Sequence, residues 1–203
     1  MLTQARFVYR YSDQPSRGLA VAGAIFFVKA VLAIPHLIIV GALQYVAGIV
    51  AYVGYFIVAF TGSMPEGIRS LSSLSLRWSA RAYGWVIGYT DEYPPFETSP
   101  EGYPVDAEIP ENPDPSRGWA TAGIFLLKFL AIVPHAIVAG LLALVAYVAV
   151  WIGFVAVAFT GQYPRGVGDF VAGVVQWWLR VGAWLYGLTD EYPPFSLDAE
   201  PSA

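Results

Sequence analysis

Two long apolar blocks constrain the fold of this chain more than any other feature of its sequence. They extend from Gly18 to Gly62 and from Gly118 to Gly161, and few ionisable groups interrupt them. Each block is long enough for two membrane-spanning helices of roughly twenty residues joined by a tight turn. Of the 203 residues, 57% are hydrophobic and 13% are charged, whereas soluble domains have about 45–50% apolar and about 25% charged residues. We therefore expect an all-α integral membrane protein.

The two blocks belong to an internal repeat with an offset of about one hundred residues. The segment Pro15-Ser16-Arg17-Gly18 recurs as Pro115-Ser116-Arg117-Gly118, and Thr90 to Phe96 recurs unchanged at 189–195. Seven identical residues in a row indicate that one structural unit was duplicated. The predicted fold is two tandem repeats, each a transmembrane helical hairpin followed by an interfacial amphipathic helix, with four spans in total.

The repeat also sets the predicted domain boundaries. A cytoplasmic N-terminal segment, 1–17, precedes the first membrane repeat, 18–96. The second membrane repeat, 116–195, is followed by a polar tail, 196–203. Residues 97–115 combine six acidic residues with five prolines, a composition typical of an extended, solvated linker. We predict no regular structure there.

Within each repeat the sequence predicts a hairpin turn and a third helix. The turn is predicted at Ala42 to Tyr45, and its counterpart near Leu141 to Leu144. From 68 to 85, apolar residues follow helical spacing and arginines and serines fill much of the rest, which favours a helix in the membrane interface. For the less polar copy, 167–188, crossing the membrane is the alternative. Lipid headgroups are predicted to contact Arg69, Arg77, Trp78, Arg81, Trp85, Trp177, Arg180 and Trp184.

The arginines decide the predicted topology. With two spans per repeat, all nine arginines fall on one side of the membrane, as the positive-inside rule prefers. Three spans per repeat would invert the halves and draw several arginines into the hydrocarbon. We therefore predict a multi-pass protein whose termini and acidic linker are cytoplasmic.

Each apolar block also contains one lysine and one histidine. Lys29 and Lys128 lie about eleven residues into the first predicted spans, where an ionised group costs about 2.5–3.5 kcal/mol. His36 and His135 follow after seven residues, almost two helical turns. Each pair therefore lies on one helix face as a candidate intramembrane polar seam.

Prolines adjoin both histidines. Pro35 and Pro134 are predicted to kink the helix and to free the carbonyls of Val31 and Leu130. One interpretation is a polar pathway or ligand site inside the bundle. The other is that each lysine snorkels toward the headgroups while each histidine satisfies a carbonyl. The second is favoured, because neither apolar block contains a carboxylate that would complete a proton relay.

The segment Thr-Asp-Glu-Tyr-Pro-Pro-Phe follows the third helix in both copies. Its prolines cannot continue a helix, and we predict that it folds back as a clasp through carboxylate–arginine pairs. A partner-docking tag is the alternative. The carboxylates are Asp91, Glu92, Asp190 and Glu191, and the candidate arginines are Arg77, Arg81 and Arg180.

The sequence offers no motif for catalysis. It has no cysteine, and no Gly-rich phosphate loop, catalytic triad or zinc motif can be assembled from it. We expect no metal and no cofactor. The net charge of -4 argues against nucleic acid as a partner, and we predict that the protein is not an enzyme.

The motifs together resemble a known family. A first helix ending in Ile34-Pro35-His36 or Val133-Pro134-His135, then Phe60-Thr61-Gly62, an Arg/Trp-rich helix and the Thr-Asp-Glu-Tyr-Pro-Pro-Phe segment are similar to the bacterial membrane family DUF4389, here in tandem. The resemblance implies a location in the bacterial cytoplasmic (inner) membrane and supplies no activity.

Two hypotheses for function follow. The first is a non-enzymatic accessory or scaffold protein of that membrane. Its arginine/tryptophan helices and acidic segments would bind membrane lipids, a membrane-protein partner or a second copy of the chain. The alternative is a small transporter or channel that uses the lysine/histidine seams.

Overall fold

The computed structural model describes residues 2–199, apart from the side chain of Phe26. Met1 and the last four residues of the predicted tail, 200–203, lie outside this part. The first series of elements is β1 (Arg6–Tyr9), α1 (Arg17–Phe26), α2 (Val28–Leu32), α3 (Ile34–Thr61) and α4 (Glu66–Ile87). The second is β2 (Val105–Glu108), α5 (Arg117–Ile124), α6 (Leu127–Thr160) and α7 (Arg165–Leu185). The predicted helical repeat is therefore confirmed.

The predicted hairpin turns are wrong. Residues 42–45 lie within α3 and residues 141–144 lie within α6, and both stretches are helical throughout. Neither stretch contains glycine or proline, so no residue there disfavours the helix strongly. The chain breaks earlier, at Phe27 and Leu126, where φ is 53° and 59°. Among the described residues, two helices and not four, α3 and α6, are long and apolar enough to cross a membrane.

The repeated motifs are helix boundaries. The hydroxyls of Ser16 and Ser116 cap α1 and α5 by accepting the backbone N–H three residues on, at 3.3 Å in both units. Gly62 and Gly161 end α3 and α6 with φ of 80° and 75°. Glycine adopts this left-handed conformation without a steric cost. The same local signals therefore begin and end the equivalent helices.

The acidic linker is structured in its middle. β2 lies inside it and pairs antiparallel with β1, with Arg6 opposite Glu108 and Tyr9 opposite Val105. Val105 and Ala107 are buried, whereas Glu108 is exposed, as the alternation of side chains along a strand requires. The prediction of a solvated linker without regular structure is thus wrong for 105–108, because acids and prolines on both sides conceal a short half-buried strand.

The two units are related by a pseudo-twofold axis. β2 follows β1 by 99 residues, so Glu108 is equivalent to Tyr9 and Val105 is equivalent to Arg6. Arg6 pairs with Glu108 and Tyr9 pairs with Val105, so exchanging the two units leaves the pairing unchanged. At the centre, Leu76 of α4 lies against Gly182, late in α7. Ile87 at the end of α4 and Val171 early in α7 line one cavity. The helices α4 and α7 are therefore antiparallel, and the axis runs through the strand pair, perpendicular to both helices.

The units also interlock. α1 packs on α6 of the other unit, and α5 packs on α3. Gly123 of α5 lies under the ring of Tyr55, where a Cβ atom would be 2.5 Å from the ring. Gly23 of α1 faces Phe154 in the equivalent way. The interface between the units is therefore reciprocal and depends on small residues in α1 and α5.

The helices α4 and α7 are central, and this corrects the predicted interfacial position. α3 covers α4 on one side and β2 covers it on another, while α6 and β1 cover α7. The covered side chains are each 9% exposed or less, and they are Trp78, Arg81, Trp85, Trp177, Arg180 and Trp184. These six residues face protein and not headgroups. Arg69 and Arg77 are half-buried.

Candidate functional site

The first lysine cluster joins both repeated motifs of its unit. Lys29 in α2 is 2% exposed. Its Nζ donates hydrogen bonds to the carbonyl of Thr90 at 2.8 Å and to Oδ1 of Asp91 at 2.9 Å. The ring of Trp85 lies 5.3 Å from Nζ, and the ring of Phe154 from the second unit lies 6.0 Å away. The carboxylate missing from the apolar block is therefore supplied by Asp91, from the segment after α4.

The second lysine cluster has the same position but a different partner. Nζ of Lys128, 1% exposed, donates to the carbonyl of Trp184 at 2.8 Å. The rings of Trp184 and of Tyr55, from the first unit, lie 4.6 and 5.0 Å from Nζ. Among the ion pairs of the described residues, none includes Lys128. The first unit thus holds an ion pair between a buried lysine and a half-buried aspartate. In the second unit, the lysine contacts a carbonyl and aromatic faces.

The two aspartates of the repeated segment hold the start of the first helix in each unit. The backbone N–H of Ser16 donates to Oδ2 of Asp91 at 2.6 Å, and that of Ser116 donates to Oδ2 of Asp190 at 2.7 Å. Asn112 also donates to Asp190, at 3.1 Å. The segment does fold back on its unit, but the predicted arginine partners are corrected. These carboxylates bind a helix start, and Asp91 also binds a lysine.

The acidic neighbours of these aspartates have no such role. Glu92 and Glu191 are exposed. Their backbone N–H groups donate to the hydroxyls of Thr90 and Thr189 at 3.1 Å, which forms the same small turn in both units. The charge of Glu191 nevertheless acts on Arg180, where it favours the charged guanidinium.

The histidines lie in a second pair of equivalent clusters. Nε1 of Trp78 donates to Nδ1 of His36 at 3.1 Å, and Nε1 of Trp177 donates to Nδ1 of His135 at 2.8 Å. Both imidazoles are fully buried. Phe96 stacks on His36, with ring centroids 4.2 Å apart. Because Nδ1 accepts, the hydrogen-bond network assigns the proton of the neutral ring to Nε2. Within the described residues, Nε2 of His135 has no hydrogen-bond partner, whereas the backbone of Pro94 interacts with the ring of His36.

In each unit, the tyrosine of the repeated segment bonds a backbone carbonyl close to the proline beside the histidine. The hydroxyl of Tyr93 donates to the carbonyl of Leu32 at 2.9 Å, and that of Tyr192 donates to Ala131 at 2.7 Å. Each accepting carbonyl lies three residues before a proline, one residue after the carbonyl predicted to be free. A proline-induced kink weakens the bonds on both sides of the missing one.

The two prolines lie at equivalent places in their units. Pro35 is in the first turn of α3, and Ala33, the one residue between α2 and α3, has helical φ and ψ of -77° and -9°. Backbone hydrogen bonds from Ala33 to Lys29 and from Leu37 to Ala33 continue the helix across this point. Pro134 lies inside α6, as predicted.

The arginines bind the chain that follows the repeated segment. Arg77 and Arg81 both contact Asp106 of β2, at 2.5 and 3.4 Å. Arg81 also donates to the carbonyls of Glu97 and Thr98 at 3.2 and 3.4 Å. The hydrogen bond to Asp106 raises the pKa of Arg77, whereas burial lowers the pKa of Arg81.

Arg180 has the equivalent role in the second unit. It donates to Oγ of Ser196 at 3.0 Å and to the carbonyl of Asp198 at 3.1 Å. Arg69 pairs with Glu66, three residues earlier on the same helix. The partners of Arg77, Arg81 and Arg180 were not predicted, since they lie in the linker and in the tail, where the sequence carries no periodic signal.

The polar groups singled out from the sequence therefore form two lysine clusters and two histidine clusters. All four cationic or titratable side chains are inside the protein. Each lysine and each histidine has its own partners, and the contacts given above do not join them into one seam. Among residues 2–199, no group of three His, Cys, Asp or Glu side chains is placed to hold a metal ion.

These features define a class of protein: a duplicated, interlocked helical fold with two long apolar helices whose outer faces are exposed. The comparison with known families identifies it further. The domain of unknown function DUF4389 matches residues 24–97 and again residues 124–196, so the chain belongs to this family as a tandem member. The comparisons with curated proteins and with solved structures gave no match.

Proposed function

We propose that this chain is a non-enzymatic scaffold protein of the bacterial cytoplasmic membrane. It attaches through α3 and α6 and presents its acidic linker to a protein partner on the cytoplasmic side, where both termini also lie. The observation that carries this proposal is that the repeated polar residues form contacts inside the protein. These lysines, histidines, aspartates and arginines bind other parts of the protein, so the surface left for an outside partner is apolar on the long helices and acidic on the linker.

The apolar surface supports attachment to a membrane. The core helix of a soluble protein buries most of its length, whereas only 22% of the most apolar 18-residue stretch is buried in α3 and in α6. The exposed residues include Ile38, Tyr45, Ile49 and Phe60 in α3, and at the equivalent positions Ile137, Leu144, Val148 and Phe159 in α6. Exposed apolar surface of this extent marks a membrane or protein contact.

The acidic surface supports a cytoplasmic partner with basic character. Glu97, Glu101 and Glu111 are exposed and take part in no ion pair given for the described residues. Their charges are therefore free to attract an oppositely charged protein surface, which raises the association rate and selects against acidic partners.

Affinity purification from native membranes in mild detergent tests the proposal. The triple variant E97Q/E101Q/E111Q should lose a defined partner that the parent chain retains. The matched control, D13N/D198N, removes exposed acids outside the linker and should retain the partner. If the triple variant recovers the same proteins as the parent chain, the linker is not the docking surface. Solute flux in liposomes that depends on Lys29 or Lys128 would replace the scaffold with a transporter.

A further inference from the structure

The pseudo-twofold axis fixes the direction of all the long helices. α4 and α7 are perpendicular to the axis. α3 runs antiparallel to α4 along its length, because Val40 packs against Trp78 and Gly54 lies against Ile68. By the same repeat, α6 runs antiparallel to α7. The two apolar helices and the two central helices therefore all lie roughly perpendicular to the axis.

The charged strand pair lies on this axis, above the middle of the central helices. Arg77, midway along α4, pairs with Asp106 of β2 at 2.5 Å, and Gln176, midway along α7, accepts the N–H of Phe7 in β1 at 3.0 Å. On the outer side of the strands, Arg6 and Glu108 pair at 3.8 Å with about half of each side chain exposed.

This arrangement makes a membrane-crossing orientation costly. If α3 and α6 crossed the bilayer, the strand pair would lie at mid-depth, with Arg6 and Glu108 exposed to acyl chains. Each charge at the bilayer centre costs about 2.5–3.5 kcal/mol or more. With the axis along the membrane normal, the strand pair with Arg6 and Glu108 faces water instead.

The aromatic residues of the long helices agree with the second orientation. In helices that cross a bilayer, tyrosine and tryptophan concentrate at the two ends, at headgroup level. Here exposed tyrosines lie at mid-helix, Tyr45 in α3 and Tyr147 in α6. A helix that lies along the interface keeps its middle near the headgroups, where a tyrosine hydroxyl finds polar partners.

We propose that α3 and α6 lie in the plane of a single leaflet, so that the protein is monotopic and neither helix crosses the membrane. The occupant of the two exposed apolar faces is the acyl layer of the cytoplasmic leaflet. This inference rests on the proposed membrane location and adds its geometry. Both ends of each apolar helix then lie on the cytoplasmic side.

The absence of cysteine from the sequence makes the test direct. A single cysteine at Ser63 marks the end of α3, and one at Glu97 marks its start, since Phe96 stacks on His36. The cysteines Q162C and E191C mark the same two ends of α6, since Tyr192 bonds the carbonyl of Ala131. All four positions are exposed, and thermal melting of each variant checks that the fold is retained.

A membrane-impermeant thiol reagent should label all four cysteines in inverted membrane vesicles and none in intact cells. Labelling of S63C and E97C from opposite sides would show that α3 crosses, and it would overturn the inference while leaving membrane location intact. A cysteine that reacts only after detergent is added would also count against it, because that helix end would be inside the bilayer. If the parent chain does not float with vesicles or sediment with membranes, the proposed function itself fails.

Discussion

The substitution D91N should destabilise the protein far more than D190N, although the two aspartates are equivalent in sequence. Asp91 is the anionic partner of Lys29, whose side chain is 2% exposed. Removing one partner of a buried ion pair costs about 3–5 kcal/mol, since the other charge stays buried. The carbonyl of Thr90 still accepts from Lys29, which places the expected loss near the lower end of this range.

The stability lost in D190N should be smaller. It accepts from the N–H of Ser116 and from Asn112, and asparagine retains one acceptor oxygen for these donors. A hydrogen bond to a charged group is worth about 1.5–3 kcal/mol, so D190N should cost about 1–2 kcal/mol. The difference of about 1–2 kcal/mol corresponds to about 2–8 °C in melting temperature for a chain of this length.

Thermal unfolding in a mild detergent, followed by circular dichroism, measures both variants. The double variant K29M/D91N should recover most of the loss, because an apolar pair in a buried site is often as stable as the ion pair. Equal melting temperatures for D91N and D190N would refute the reasoning. So would a double variant that melts below D91N, since the two residues would then not be coupled.

Two further predictions concern tyrosines that the sequence did not single out and the tryptophan beside His135. Burial and the carboxylate of Asp169 raise the pKa of Tyr9 and Tyr11 above its ordinary value. The stability that depends on these neutral phenols is present below pH about 10, the unfolded value, and should be lost as the pH rises above it, with tyrosinate absorbance appearing as the helices unfold. The readout is the part of the tyrosinate absorbance that Y9F and Y11F remove, since other tyrosines are exposed. If that part rises near pH 10 while the helices remain folded, the prediction is contradicted. Separately, W177F removes the donor to Nδ1 of buried His135 and should cost about 1–3 kcal/mol, whereas W178F, at an exposed neighbour, should stay within about 0.5 kcal/mol of the parent chain.

Local signals in the sequence were sufficient for the boundaries of the repeat. Ser16 and Gly62 are a strong helix cap and a strong helix end, and both recur in the second unit. The break at Phe27 was missed because nothing local marks it. A bulky residue with positive φ is strained by itself, and here the packing of α1 against α6 and of Lys29 into its cluster fixes that conformation.

The partners of the repeated polar residues were beyond prediction for another reason. The ion pair of Lys29 and Asp91 joins residues 62 positions apart, and the segment that contains Asp91 was expected to bind its own arginines. Arginines attract carboxylates, but the carboxylate that β2 places against Arg77 is that of Asp106. Without β2, whose four residues lie among prolines and acids, sequence reasoning assigned the arginines to the wrong acidic residues.

Reciprocal packing explains why the two units occur in one chain. Each lysine cluster takes an aromatic ring from the opposite unit, Phe154 over Lys29 and Tyr55 over Lys128. Each first helix buries its small residues against the opposite long helix, and each strand finds its hydrogen-bonding partner in the other unit. One unit alone would leave a lysine half covered, a strand unpaired and an apolar face open, all of which are costly. Covalent linkage converts this pairing into an intramolecular step at high effective concentration, so a chain with a single unit of this kind should form the same arrangement only as a homodimer.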